Sequence, residues 1–209
     1  MNLEMIIFDL DGTLWETEKI TYKTANAVAK KYNLGKEITL DTIRKTMGCT
    51  FTEAAYNYIP ELEKEEREKI FSEILSINCK ILEEFGGNVY DRLEETLKTL
   101  KNEYKLAIVS NCGAGYIESF LNSSKLTNYF VDYMAAAKYK VSKADAIRKV
   151  MTRNAINDAI YVGDTIKDYE ASQGANIEFV QAKYGFGDDL NTEYSIQDIS
   201  ELPDIIKNM

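Results

Sequence analysis

The sequence predicts an α/β fold: a Rossmann-like, doubly wound, mainly parallel sheet, interrupted after its first strand by an inserted α-helical cap. Three observations predict it. The run Met5-Ile6-Ile7-Phe8 is short and wholly apolar, which reads as a strand covered on both faces. From Asn88 onward, short apolar runs alternate with amphipathic segments, the rhythm of β-α units feeding one parallel sheet. Between these parts, Trp15 to Phe85 shows helical spacing and no strand-like run.

The inserted block reads as four helices. "TEKITYKTANAVAKKYNLG" places Ile20, Ala27, Val28 and Leu34 near one face and ends at Gly35. "TLDTIRKTMG" is stopped by Gly48, and "TFTEAAYNYIP" is closed by Pro60. "ELEKEEREKIFSEILSINCKILEEFGG" aligns Leu62, Ile70, Ile74, Ile77, Ile81, Leu82 and Phe85, faces solvent with Glu, Lys and Arg, and ends at Gly86-Gly87. The alternating part follows. Helix "DRLEETLKTLKN" precedes strand "LAIVS", and "GYIESFLN" precedes "FVDYMAA". Helix "KADAIRKVMTRN" precedes "AIYVG", "IKDYEASQG" precedes "IEFVQA", and "ISELPDIIKNM" closes the chain. The division is therefore an α/β core of residues 1–14 and 87–209 with a cap of residues 15–86.

Composition narrows the function. The chain has 209 residues, 45% of them hydrophobic, enough for one core with a smaller insert. A net charge of −9 without a basic stripe argues against nucleic acid as a partner. No run approaches the ~18 apolar residues of a membrane span, and no basic, apolar, small-residue leader precedes the first strand. Cys49, Cys79 and Cys112 are odd in number with no C-x-x-C pair, which points to reduced thiols in a cytoplasmic setting. No signal for oligomeric state is present. Histidine is absent, which removes Ser-His-Asp and Cys-His nucleophile systems and H-E-x-x-H zinc sites. Carboxylates, lysines, hydroxyls and a metal must carry any chemistry.

Ligands of open α/β sheets bind beyond the carboxyl ends of the strands, and polar groups collect there. The first strand runs into "DLDGT", the second ends in Ser110-Asn111, the third leads into "KYKVSK" and the fourth into "GDTIKD". Asp9 and Asp11 fall on the same side of an extended backbone. Asp164 adds a third carboxylate, and Asp168 comes one helical turn later. An oxygen-rich cluster of this kind suits Mg²⁺. These carboxylates and a phosphate of about −2 cannot share a pocket unless cations offset them, and one aspartate must carry a proton for part of the cycle. Asp9 is then the expected nucleophile, forming an aspartyl-phosphate, and Asp11 the acid and base. Ser110, Asn111 and the backbone amides of Leu10 and Asp11 are expected to hold phosphoryl oxygens, and a lysine to balance charge in the transition state.

This constellation resembles the haloacid dehalogenase-like superfamily, and among its members the C1-cap, phosphoglycolate phosphatase-like subgroup. "DLDGTL" matches the family's first motif, Ser110 its second and "GDTIKD" its fourth, and the likeness spans nearly the whole chain. The resemblance implies Asp9 as nucleophile, Asp11 as acid/base, Asp164 as a Mg²⁺ ligand and Asp168 as a ligand or its support. The second aspartate favours phosphate chemistry over dehalogenation. The third motif departs from the family's frequent Lys-Pro pair, and Lys138, Lys140 and Lys143 compete for it. Lys143 is favoured, because Ser142 with Asp145 reads as an N-cap that opens a helix on that lysine. "WET" replaces the relatives' common aspartate with Glu16.

Arg44, Lys45 and Gly48, in "RKTMGCTF", form with Glu16 the expected substrate-specificity set. The expected substrate is a small phosphorylated metabolite. A phosphomutase or pyrophosphatase is the rival enzyme, the first weakened by the lack of a cap histidine. The rival outside enzymes is a phosphate-sensing or partner-binding module, which has no need of a nucleophile.

Overall fold

A computed structural model describes residues 2–209. The first strand, β1 (Met5–Phe8), has no solvent exposure at any of its four residues. A two-residue strand, β2 (Trp15–Glu16), leads into four helices: α1 (Glu18–Lys31), α2 (Leu40–Thr46), α3 (Phe51–Tyr58) and α4 (Lys64–Phe85). Strand β3 (Asn88–Val89) brings the chain back. There follow α5 (Leu93–Leu100), β4 (Lys105–Ser110), α6 (Tyr116–Ser124), β5 (Asp132–Ala135), the single turn α7 (Ala136–Tyr139) and α8 (Lys143–Arg153). The remainder is β6 (Ala159–Gly163), α9 (Ile166–Ala175), β7 (Glu178–Ala182), β8 (Tyr194–Ile196) and α10 (Leu202–Lys207).

The main sheet has six strands in the order β5-β4-β1-β6-β7-β8, and all its pairings are parallel. β1 lies in the interior, between β4 and β6. Its alternate side chains feed two separate cores, as the pleat requires. Ile6 and Phe8 pack with Leu97, Ile117, Phe120 and Leu202 on one face. Met5 and Ile7 pack with Ile147, Val150 and Ala171 on the other. Helices on both faces explain why these strands are apolar at every position rather than alternating.

The helical block buries its own residues, among them Ala25, Val28, Ile43, Ala55, Ile70 and Ile74. Thr50 and Glu53 close a capping box at the start of α3. The block does not begin as helix, as its spacing predicts. Trp15 pairs with Val89 and Glu16 with Asn88 in an antiparallel ribbon, so the chain leaves and re-enters the core side by side. Trp15 is fully buried, edge-on to Tyr116 and Phe120 at 5.5 and 5.1 Å. That tertiary burial overrides the helical spacing around it.

Two further differences are local. Helix α1 stops at Lys31, short of Gly35, because Asn33 already takes the left-handed conformation (φ 53°). Strand β8 was not expected. It has three residues, Tyr194 and Ser195 are only part-buried, and its pairing with β7 supplies the signal that its composition lacks. Among the described residues no helix is long and apolar enough to cross a membrane.

Candidate active site

Asp9 is the first residue beyond β1. Its amide donates to Val162 of the neighbouring strand at 2.8 Å, which locks the backbone as it leaves the sheet. The residue is almost fully buried. Lys143, the first residue of α8, donates from Nζ to Asp9 Oδ1 at 2.6 Å and also to Asp168 Oδ1. Its placement follows from the local sequence: Ser142 caps α8, accepting from the Asp145 amide at 3.0 Å, so the helix opens on the lysine. Lys138 and Lys140 are exposed and make no contact with these carboxylates.

Asp168 is held from both sides. Oδ1 meets Lys143, while Oδ2 accepts from the Thr165 amide at 2.9 Å and the Thr165 hydroxyl at 2.6 Å, the capping box that starts α9. Its place is therefore to anchor the lysine. Asp164, at the end of β6, is fully buried; Oδ2 accepts from the Phe186 amide at 2.7 Å, while Oδ1 has no partner among the described residues. Asp9, Asp164 and Asp168 each offer an oxygen within 4.8 Å of the others. Three buried carboxylates face one ammonium, and one carboxylate oxygen is left without a donor. Both facts call for a further cation with a preference for hard oxygen ligands, and Mg²⁺ fits that donor set.

Gly12 makes this crowding feasible. It turns the chain at φ +81°, and a Cβ there would collide with the Asp164 carboxylate.

Asp11 stands apart from this trio, although the sequence places it with the metal ligands. The strand ends at Phe8, and the turn through Leu10 and Gly12 swings Asp11 toward α6. Its Oδ1 accepts from the Tyr116 hydroxyl at 2.8 Å and the Thr17 hydroxyl at 3.1 Å. The chain bends at Leu10, directly after the strand, so an extended-backbone argument does not by itself fix where Asp11 points.

Electrostatics follow burial. Burial raises Asp9 to about 7 against the pull of Lys143, and raises Asp11 to about 6 against the hydrogen bonds from Tyr116 and Thr17. Asp164 is pushed well above the carboxylate range, first by burial and then by the charges of Asp168 and Asp9. Burial opposes the Lys143 charge, yet Asp168 and Asp9 hold its ammonium well above the ordinary lysine value.

The remaining expected residues divide. Ser110, at the end of β4, is 5% exposed and lines a cavity of about 810 Å³ with Asp11 and Asn111. The Asn111 side chain is committed elsewhere: Nδ2 donates to Gly48 O across the cleft at 2.8 Å. Leu10 buries its side chain in the core.

Of the expected specificity set, Gly48 alone lines the cavity. Arg44 grips Glu18 with two hydrogen bonds, one of 2.9 Å from Nη2, and Lys45 pairs with Asp41 one turn away at 2.7 Å. Glu16 accepts from Asn88 at 3.3 Å in the β2–β3 ribbon. Each of these charges found a nearer partner, which spacing alone did not show.

Sequence reasoning missed Tyr116 and Thr17 as the clamps on Asp11, and the α4 residues such as Phe71 and Asn78 that wall the cavity. The Tyr116 partnership spans 105 residues and leaves no local mark. The glycine-rich loop of residues 183–187 supplies the Phe186 amide to Asp164.

Comparison with known proteins adds to this geometry. The family model for haloacid dehalogenase-like hydrolases matches residues 6–182. The chain is 26% identical over 224 residues to a phosphoglycolate phosphatase of Psychrobacter arcticus, covering 99% of this chain and 96% of that one. It is 28% identical over 180 residues to the pyrophosphatase PpaX of Listeria innocua, covering 81% of this chain and 78% of that one. A predicted phosphoglycolate phosphatase from Haemophilus somnus has the same fold, with a TM-score of 0.87 at 19% identity and 99% coverage of both chains.

Proposed function

The chain belongs to the haloacid dehalogenase-like hydrolases, and we propose that it is a Mg²⁺-dependent phosphatase that hydrolyses a small phosphomonoester through an aspartyl-phosphate on Asp9. The observation that carries this reading is the buried Lys143 ammonium against Asp9, anchored by Asp168 beside the orphaned Asp164 Oδ1. A nucleophile, its counter-charge and an unpartnered hard oxygen meet where β1 and β6 end and α8 begins.

Asp9 and Asp164 would hold Mg²⁺, with Asp168 supporting the site through Lys143. When bound, the ion supplies positive charge to the crowded carboxylates and the phosphoryl oxygens. Lys143 holds Asp9 Oδ1, which leaves Oδ2 to attack phosphorus. As the new O–P bond forms, the ester P–O bond breaks and the leaving oxygen takes the proton from Asp11. Asp11 then takes a proton from water; the hydroxyl attacks phosphorus, the Asp9 acyl phosphate opens at its P–O bond, and inorganic phosphate leaves. Tyr116 and Thr17 fix Asp11 for both transfers. Ser110 Oγ and the amides of Leu10 and Asp11 cradle the phosphoryl oxygens.

Residues 15–86 act as the cap and select the leaving group, and the three free cysteines suit a cytoplasmic setting. The names of the relatives support a small phosphorylated metabolite as substrate.

The test is release of phosphate from an aryl phosphate with Mg²⁺ and with EDTA, for wild type and Asp9→Asn. Turnover that needs Mg²⁺ and falls by several orders of magnitude in the variant is expected. Near-normal turnover by Asp9→Asn would sink the mechanism. A pyrophosphatase would instead prefer pyrophosphate over every monoester in the same assay.

A further inference from the structure

Building on the phosphatase reading, we propose that the preferred substrate is a phosphomonoester with a bulky, uncharged, aromatic leaving group, and not a small phosphorylated acid. The cavity that opens on Asp11 and Ser110 extends between the core and helices α3 and α4 and measures about 810 Å³. That is far more space than a two-carbon acid fills. A two-carbon acid would leave most of that space wet, and little binding energy would come from the cap.

The cap wall is built for something else. Phe51, Tyr58, Phe71 and Leu75 line it. Phe51 and Tyr58 both stand edge-on to Phe71, at 5.2 and 5.1 Å. A further ring extends such a cluster in the same edge-to-face geometry.

Three of the cap's cations are held away from this wall. Arg44 is held by Glu18, Lys45 by Asp41 and Lys31 by Glu73. A carboxylate or second phosphate placed among these rings would lose its hydration, with the cavity's lysines out at the exposed rim. The polar feature of the wall asks for a neutral donor. Asn78 is 2% exposed and lines the cavity; its Nδ2 donates to Thr21 at 2.9 Å, and its Oδ1 has no partner among the described residues. A hydroxyl or ring N–H on the leaving group would satisfy that oxygen.

The lysines that border the same cavity, Lys80, Lys138 and Lys140, are exposed. In water they attract a phosphate dianion toward the opening at little desolvation cost. The charge pattern is therefore a cationic rim around an apolar interior, which suits an ester whose only anionic part is the phosphate to be removed.

The test compares kcat/KM, with Mg²⁺, for naphthyl phosphate and a purine nucleoside monophosphate against phosphoglycolate and a sugar bisphosphate. The aromatic esters are expected to lead by at least ~100-fold. A lead for phosphoglycolate or the bisphosphate overturns the proposal. If no ester is turned over, the phosphatase reading has failed, and binding decides this one separately: Asp9→Asn protein should bind naphthyl phosphate at least ~10-fold more tightly than phosphoglycolate, and equal or reversed affinities overturn it. Leu75→Arg places a cation in the wall and should shift the kcat/KM ratio at least ~10-fold toward phosphoglycolate. Ser76→Arg, at an exposed cavity position, makes the same comparison should the first variant fail to fold. An unchanged ratio in the folded variant shows that the leaving group does not meet this wall.

Discussion

Lys143 Nζ lies 2.6 Å from Asp9 Oδ1, with the two side chains 4% and 2% exposed. The residues are 134 apart in sequence, and the sheet joins them. β1 delivers the carboxylate, and the cap of α8 delivers the lysine. In so little water the attraction is strong, and removing one partner strands the other.

Lys143→Met should therefore damage both function and stability. It leaves Asp9 and Asp168 without their ammonium, at a cost of about 3 kcal/mol in unfolding free energy. Turnover should fall to background while the far-ultraviolet spectrum stays native. Denaturant unfolding of the two proteins at neutral pH measures the first effect. A variant as stable as wild type contradicts the view that this ion pair holds the strand ends together.

Asp164→Asn should separate metal binding from folding. The orphaned Oδ1 makes Asp164 a burden to the metal-free fold, and an asparagine oxygen can still accept from the Phe186 amide. Without divalent cation the variant should be at least as stable as wild type. Saturating Mg²⁺ should raise the wild-type Tm, since ligand at 100 times Kd adds ~2.7 kcal/mol, and leave the variant's Tm unmoved. Thermal scans with and without Mg²⁺ provide the check.

Tyr116→Phe removes one hydroxyl from Asp11 and keeps the ring, which packs edge-on to Trp15 at 5.5 Å. A hydrogen bond to a charged group contributes about 1.5–3 kcal/mol; because Thr17 also holds Asp11, the lower end applies. kcat should fall about tenfold with KM little changed. A change confined to KM would mean that Tyr116 contacts substrate instead of positioning Asp11.

Much of this architecture was legible in the chain, for physical reasons that differ by residue. Apolar runs such as Met5–Phe8 and Ala159–Gly163 can only be doubly covered strands, and their order implied the sheet. Lys143 was legible because Ser142 and Asp145 mark a helix start. The hydroxyls that hold Asp11 were not legible, because a bend follows the strand immediately and no spacing rule reports where it aims a side chain. Arg44, Lys45 and Glu16 looked like free charges in sequence. Their partners are set by helix packing for Glu18, by a helical turn for Asp41 and by the β2–β3 ribbon for Asn88. The α4 side of the cavity wall was least legible, because Phe71 meets Phe51 and Tyr58 only once α3 and α4 have packed together.

The contact between cap and core gives the last prediction. Lys167, in the first turn of α9, donates to Glu53 Oε2 on α3 at 2.6 Å, and Glu53 also caps its own helix through Thr50. The hydrogen bonds from Lys167 and Thr50 hold the Glu53 carboxyl down at about 2, against an ordinary value of 4.5. A depressed carboxyl stabilises the folded state fully above the unfolded value and loses that contribution as pH falls through the folded one. The window is thus pH 4.5 down to about 2. Half of the Glu53 side chain is open to solvent, so screening limits the effect to under about 1 kcal/mol. Glu53→Gln should be less stable than wild type by that amount above pH 4.5, and the difference should shrink toward zero near pH 2. Paired unfolding curves across this range test the sign. A gap that widens on acidification would show that Glu53 is not held ionised across the cleft.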